Sequence, residues 1–179
     1  MNDKSFDLRR AIRLLIWALC CAACGANAAP RDDADDGERA YRSGDLVGAM
    51  AKYRKAADAG YAPAQARLAD FFDAADEDAA AVALYRKAAA QGDAHGEFGL
   101  GSMYAKGEGV PKDVEEGRRL IFAAADKNYP SAVDLVVKVF RNGGLGLQPD
   151  LAQAGLWEAR AQKIGIVVPQ PPEPKAKKK

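Results

Sequence analysis

The side chains able to do covalent chemistry are few in this 179-residue sequence: one histidine, three cysteines, four serines and no threonine. The cysteines, Cys20, Cys21 and Cys24, all lie near the amino terminus, and beyond Ala28 only Ser43, Ser102 and Ser131 remain to serve as hydroxyl nucleophiles. A serine needs a base within hydrogen-bond reach, and the only candidate is His95. Ser102 stands seven residues from it, which on a helix is two turns, or about 10 Å at roughly 1.5 Å per residue. Ser43 and Ser131 lie further off in sequence, and their spacing indicates no contact with His95. His95 is therefore expected to face solvent, and no catalytic residue is assigned. Zinc requires clustered His or Cys, which are absent. Gly99-Leu100-Gly101 and Gly144-Leu145-Gly146 lack the third glycine and the preceding strand of a dinucleotide loop, so they are expected at helix contacts and turns. The acidic runs Asp32, Asp33, Asp35, Asp36 and Asp73, Asp76, Glu77, Asp78 lack the ligand spacing and turn glycine of a calcium loop, and are expected to be solvated charge at helix starts. No metal and no cofactor is expected.

Charge argues against nucleic acid as a partner. The formal net charge is +1, and from Ala29 onward 22 Lys and Arg face 23 Asp and Glu. The excess of base that tracks a phosphate backbone is missing. The basic residues gather at the two ends instead. Lys4, Arg9, Arg10 and Arg13 precede an apolar run from Leu14 to Cys24 and an A-x-A site at Ala26-Asn27-Ala28, the layout of a cleaved export signal over residues 1–28. The apolar run falls short of the roughly 20 residues that cross a bilayer. Cleavage after Ala28 would remove every thiol, leaving a fold held by packing alone. The alternative is retention of Cys24 as an acylated residue, because Ala22-Ala23-Cys24-Gly25 resembles a lipobox with Cys21 where that pattern prefers leucine. Arg9-Arg10 has surroundings unlike those of a twin-arginine signal.

The rest of the chain is periodic. Tyr53-Arg54-Lys55-Ala56-Ala57-Asp58-Ala59-Gly60 recurs as Tyr85 to Gly92, more loosely as Ile121 to Asn128, and again as Glu158 to Gly165. Each unit carries a first helix with a large apolar residue and an aromatic four later: Leu68 and Phe72, Leu100 and Tyr104, Val136 and Phe140. Four residues are about one turn, so each pair faces one side, the core side. The second helix keeps small residues in two columns, Ala49, Ala81, Gly117, Ala154 and Ala56, Ala88, Ala124, Ala161, where neighbouring helices approach to about 8–10 Å. Lys52, Leu84, Leu120 and Trp157 fill the space between, with Lys52 the exception in an atypical first unit. Asp45, Asp113 and Asp150 stand where second helices start and can accept from free amides. Gly60, Gly92 and Asn128 stand where helices end in a left-handed turn. Helices are predicted at 36–43, 45–59, 63–73, 77–91, 94–105, 113–127, 130–141 and 150–164, with the second turn shorter than the third. Paired helices of this kind bury their apolar faces only by stacking. The organisation read from this is an export signal at 1–28, a disordered linker at 29–35, repeats over 36–165 and a disordered tail at 166–179.

Gly92-Asp93-Ala94, Leu100-Gly101, Met103-Tyr104, Gly107-Glu108-Gly109-Val110-Pro111-Lys112-Asp113 and Ala124-Ala125 together resemble one near-complete repeat of the SEL-like (Sel-one-like) family, a branch of the tetratricopeptide-type helical repeats. The most specific part, the Gly-x-Gly-Val-Pro-Lys-Asp turn, is complete only in the third unit and echoed by Gly143 to Asp150. The resemblance implies an all-α fold, a right-handed α-α superhelix or solenoid of about four antiparallel helix hairpins. It also implies an adaptor whose concave side recognises protein segments. The cysteine pairs that staple each hairpin in some secreted bacterial relatives are absent here.

If the groove follows the tetratricopeptide pattern, its first-helix positions are Asp70, Asp73, His95, Phe98, Ser102, Asp134, Lys138 and Arg141. Their mixture of charge with one aromatic anchor suits an extended peptide or a partner's helix. The function read from sequence is a periplasmic or secreted bacterial protein-binding scaffold, monomeric and not an enzyme. The alternatives are an envelope-tethered structural lipoprotein held through Cys24, and a cell-wall-active hydrolase. The tail, Val168 to Lys179, is proline-rich and then basic, a composition that reads as extended. It is a solubilising end or a weak electrostatic contact with an anionic envelope surface, at about 1 kcal/mol per lysine.

Overall fold

The computed structural model describes residues 28–168, and within them the chain forms eight α-helices: α1 (Ala28–Arg42), α2 (Leu46–Asp58), α3 (Ala62–Asp73), α4 (Asp78–Ala90), α5 (Ala94–Lys106), α6 (Val114–Asp126), α7 (Pro130–Asn142) and α8 (Leu151–Lys163). They pair as four hairpins in an all-α superhelix. The only bridge of β type among the described residues is an isolated one, Gly144 with Leu147. Each helix packs chiefly on its neighbours in sequence, and α3 also touches α5 directly. That skipped contact brings first helices together on one side of the stack, the inner side.

Two repeated backbone bonds build the units. Within each hairpin, the residue ahead of the second helix donates its N–H to the carbonyl four residues past the core position of the first: Asp45 to Ala40, Glu77 to Phe72, Asp113 to Tyr104 and Asp150 to Phe140. Loop length varies between units while this closure stays. Between hairpins, Tyr61, Asp93, Tyr129 and Ile166 donate to the carbonyls of Ala56, Ala88, Ala124 and Ala161. This is the six-to-one bond that follows a left-handed helix end. Gly60, Gly92 and Gly165 supply the positive φ, and Asn128 adopts 63° in the same place. The expected caps are made: the Asp45, Asp113 and Asp150 carboxylates accept from amides of their own first turns, and Asp93 does so for α5.

The core is a chain of clusters, each shared by adjacent hairpins. Ala49, Tyr53, Ala56, Ala64 and Leu68 form the first; Ala69, Ala81, Tyr85, Leu100, Met103 and Leu120 the second; Ile121, Ala124, Val133, Val136, Val137 and Ala161 the third. Contacts at the small-residue columns are close. A Cβ built on Gly96 would meet that of Ala88 at 2.5 Å, and one on Gly117 would meet the Gly101 carbonyl oxygen at 2.7 Å.

Three expectations change. Residues 29–35, read as a linker, belong to α1, whose inward face there is packed: Asp33 is buried against Lys55 at 2.9 Å and Ala34 is buried beside it, while Asp32 and Asp35 stay exposed. Lys52, the odd filler, reaches Asp36 at 3.4 Å, so the first unit is a full hairpin with a polar seam. The tail read from 166 begins later, since Ile166 packs on the last cluster and Val168 is buried in it. Residues 1–27 and 169–179, with the export signal, Cys24 and the basic end, lie outside the described residues.

Replacing Ala88 by leucine drives a side chain into Gly96 and the α5 backbone. It is expected to cost about 1–3 kcal/mol of unfolding free energy by denaturant titration, the range for overpacking. An unchanged midpoint would contradict the column.

Candidate functional site

The inner side carries two cavities that meet at Asp70. One, of about 390 Å³, is lined by Asp70 and Asp73 from α3, Tyr85 from α4, His95, Phe98, Ser102 and Lys106 from α5, and Tyr129 at the entry to α7. The other, of about 200 Å³, is lined by Tyr41, Leu46, Tyr53, Arg67, Asp70, Phe71 and Ala74. Together they make a groove across the first three hairpins with apolar rings on both sides of a polar centre.

That centre follows from the repeat. Glu38, Asp70, Ser102 and Lys138 share one position of the first helix, and Tyr53, Tyr85, Ile121 and Glu158 share one position of the second. In the first two units an acid therefore meets a tyrosine: Tyr53 donates to Glu38 at 2.9 Å and Tyr85 to Asp70 at 2.7 Å. Arg67 ties the two acids, 3.5 Å from Glu38 and 3.8 Å from Asp70. Burial, then the neighbouring carboxylate, pushes both tyrosine hydroxyls well above their ordinary range, so both remain donors. The hydrogen bond from Tyr53 in turn holds the Glu38 carboxyl below its ordinary value of 4.5. Room for the Tyr85 ring comes from Gly99, where a Cβ would lie 2.3 Å from it.

His95 Nε2 stands 2.9 Å from the same Asp70 oxygen that Tyr85 engages, and its ring stacks on Tyr129 with centroids 5.4 Å apart. The imidazole is only 17% exposed, which corrects the expectation of a solvent-facing histidine. Phe98 also packs on Tyr129, tilted against it with centroids 5.4 Å apart. Ser102 donates to the Phe98 carbonyl at 2.9 Å. Asp70, His95 and Ser102 thus line one cavity without forming a relay, since the hydroxyl is turned into its own helix.

Of the eight sequence-assigned groove residues, Asp70, Asp73, His95, Phe98 and Ser102 come together in one cavity. Asp134 and Lys138 instead pair with each other at 2.6 Å. Arg141 is mostly buried and bound to Glu158 at 2.7 Å, so it belongs to the packing of α7 on α8 rather than to the cavity wall. In the fourth unit the acid, Glu158, sits on the second helix, whereas in the first two it sits on the first. Sequence reading missed Tyr85, Tyr129 and Lys106. The recurrence of tyrosine at 53 and 85 with an acid 15 residues earlier was the available signal for the first.

A wider depression of about 870 Å³ lies between α6 and the loop after α7. Its charges answer one another: Arg118 with Glu115, Arg119 with Glu116 at 2.6 Å, and Asp126 with Arg160 at 3.0 Å. The inner groove keeps one carboxylate, Asp73, without an ion pair or side-chain hydrogen bond among the described residues, and is the better candidate for a ligand.

No protein-family model matches the chain. Protein sel-1 homolog 2 of Mus musculus is 27% identical over 132 residues, 69% of this chain and 19% of that protein. Chitin synthase regulatory factor 3 of Schizosaccharomyces pombe is 32% identical over 134 residues, 71% of this chain and 14% of that protein. The chain therefore spans less than a fifth of the length of these curated relatives. Among solved structures, a Sel1 repeat protein from Oxalobacter formigenes superposes with a TM-score of 0.66 at 28% identity, covering 79% of this chain and 61% of that one. The protein c5321, a protective antigen present in uropathogenic Escherichia coli strains and displaying an SLR fold, gives 0.58 at 32% identity, covering 65% and 26%.

Replacing Tyr53 by phenylalanine removes the donor that keeps Glu38 ionised, and is expected to cost about 1 kcal/mol near neutral pH. A carboxyl held low in the folded state contributes stability above its unfolded value and loses it as pH falls through the folded one. The gap between wild type and variant should accordingly narrow below about pH 4.5. Thermal denaturation across pH 3–7 would show a constant gap if the pair were immaterial.

Proposed function

Since the chain belongs to the Sel1-like repeat family, we propose that it is an exported monomeric adaptor whose inner groove binds an extended segment or a helix of another protein. The helical-repeat scaffold is the established part of this reading. The observation that carries the rest is the groove itself, where the rings of Phe98, Tyr129, Phe71 and Tyr41 flank a polar centre at Asp70. Aromatic anchors beside buried polar groups give affinity and register to a bound chain. The fold is one that typically serves as a non-catalytic scaffold, and the engaged Ser102 hydroxyl gives a hydrolase no nucleophile in this geometry. One relative is named as the regulatory factor of an enzyme, which supports a binding role.

Export rests on the leader at 1–28. Attachment through an acylated Cys24 is the second reading, and the basic tail is its electrostatic supplement.

Two measurements test the proposal. Replacing Phe98 by alanine should leave the helical circular dichroism intact and weaken the affinity of a partner recovered by crosslinking about tenfold or more, the scale of a central anchor; equal affinity would remove the groove from the binding surface. Mass spectrometry of the mature protein should find Ala29 as the first residue. A diacylglyceryl-modified Cys24 in that position would replace the soluble adaptor with a tethered one.

A further inference from the structure

We propose that the larger inner cavity holds a lysine or arginine side chain of the bound segment, its charged head between Asp73 and Asp70 and its stem across Phe98 and Tyr129. The inference rests on the inner groove being the binding surface and names what that surface selects.

Asp73 is the first reason. Its carboxylate lines the cavity, and among the described residues it makes no side-chain hydrogen bond and no ion pair. Burial pushes its carboxyl above the ordinary value, Glu108, Asp78 and Asp70 push it the same way, and Lys106 alone pulls it down. A partly buried carboxylate in a cavity wall, with no ion pair or hydrogen bond of its own, is a group that a cation stabilises. Asp70, one turn earlier on α3, repeats the pattern in part. One of its oxygens accepts from both Tyr85 and His95, while the other has only Arg67 at 3.8 Å, shared with Glu38. Lys106, the cation already in the wall, acts on Asp73 only at a distance and makes its own ion pair with Glu108 at 3.0 Å.

The walls fit the same ligand. Phe98 and Tyr129 meet at 5.4 Å, and His95 stacks behind Tyr129. Ring faces attract a cation, and the methylenes of lysine or arginine cover apolar surface while the head stays with its counter-ions. At about 390 Å³ the cavity has room for a long side chain together with the backbone that carries it. An acidic side chain would meet two carboxylates there, and an aliphatic one would leave Asp73 dehydrated and unpaired.

The test uses the full chain and three probes, Nα-acetyl-lysine methylamide, Nα-acetyl-arginine methylamide and the norleucine analogue, followed by the His95 and Tyr129 ring resonances. The two cationic probes are expected to shift both rings saturably, with norleucine at least tenfold weaker, the scale of a charge-assisted bond. Asp73→Asn should weaken the cationic probes about tenfold without lowering the melting temperature, since no internal bond is lost, and Asp73→Glu should retain them. Equal binding of norleucine, or an Asp73→Asn variant that titrates like wild type, would overturn the assignment. Phe98→Ala with the recovered partner separates the two proposals. If that variant loses the partner while no cationic probe shifts the rings, the groove stands and the anchor falls; if it keeps the partner, the groove itself falls.

Discussion

Everything in this molecule hangs on how closely one helix can lie against the next at a single recurring alanine. Ala56, Ala88, Ala124 and Ala161 are fully buried, and the carbonyl of each accepts the bond that turns the chain into the following hairpin. One residue thus sets both the interhelix distance and the direction in which the next unit departs. A larger side chain would push the helices apart where the closing bond requires them together. Because the clusters are each shared by adjacent hairpins, a disturbance at one column is felt by two units and little further, as in other one-dimensional folds.

The same regularity creates the groove by its failures. An acid opposite a tyrosine in the first two units gives Glu38–Tyr53 and Asp70–Tyr85, joined by Arg67. In the third unit the pair becomes Ser102 and Ile121, and Asp70 is met from that side by His95 instead. The missing pair and the absent side chain of Gly99 leave the space that Phe98, His95 and Tyr129 enclose. The cavity thus lies where a repeated internal bond is interrupted, with Asp73 in its wall making no side-chain hydrogen bond or ion pair among the described residues.

Much of the architecture was legible because its signals are local. Columns of alanine, Asp at helix starts and Gly or Asn at helix ends mark positions where only small, accepting or left-handed residues fit, and these placed seven of the eight helices to within a residue or two. The first helix was hidden by composition: in a run of charge, Asp33 and Asp36 look solvated until Lys55 and Lys52 of α2 arrive opposite them. Ile166 and Val168 were likewise assigned to the tail because the prolines that follow dominate its composition, although the core covers those two residues.

The groove was half legible for a related reason. Sequence position says which turn of a first helix faces inward, and that found Asp70, Asp73, His95, Phe98 and Ser102. It does not say which second-helix side chain reaches through. Tyr85 does so because Gly99 lets its ring pass, and the hydroxyl then fixes Asp70 from below while His95 fixes it from the side. Arg141 went the other way, drawn out of the groove by Glu158, which occupies the position of Tyr85 in the last unit. Exchanging one hydroxyl donor for a carboxylate therefore reverses which helix supplies the acid. The polarity of the inner face is decided by the residue behind it.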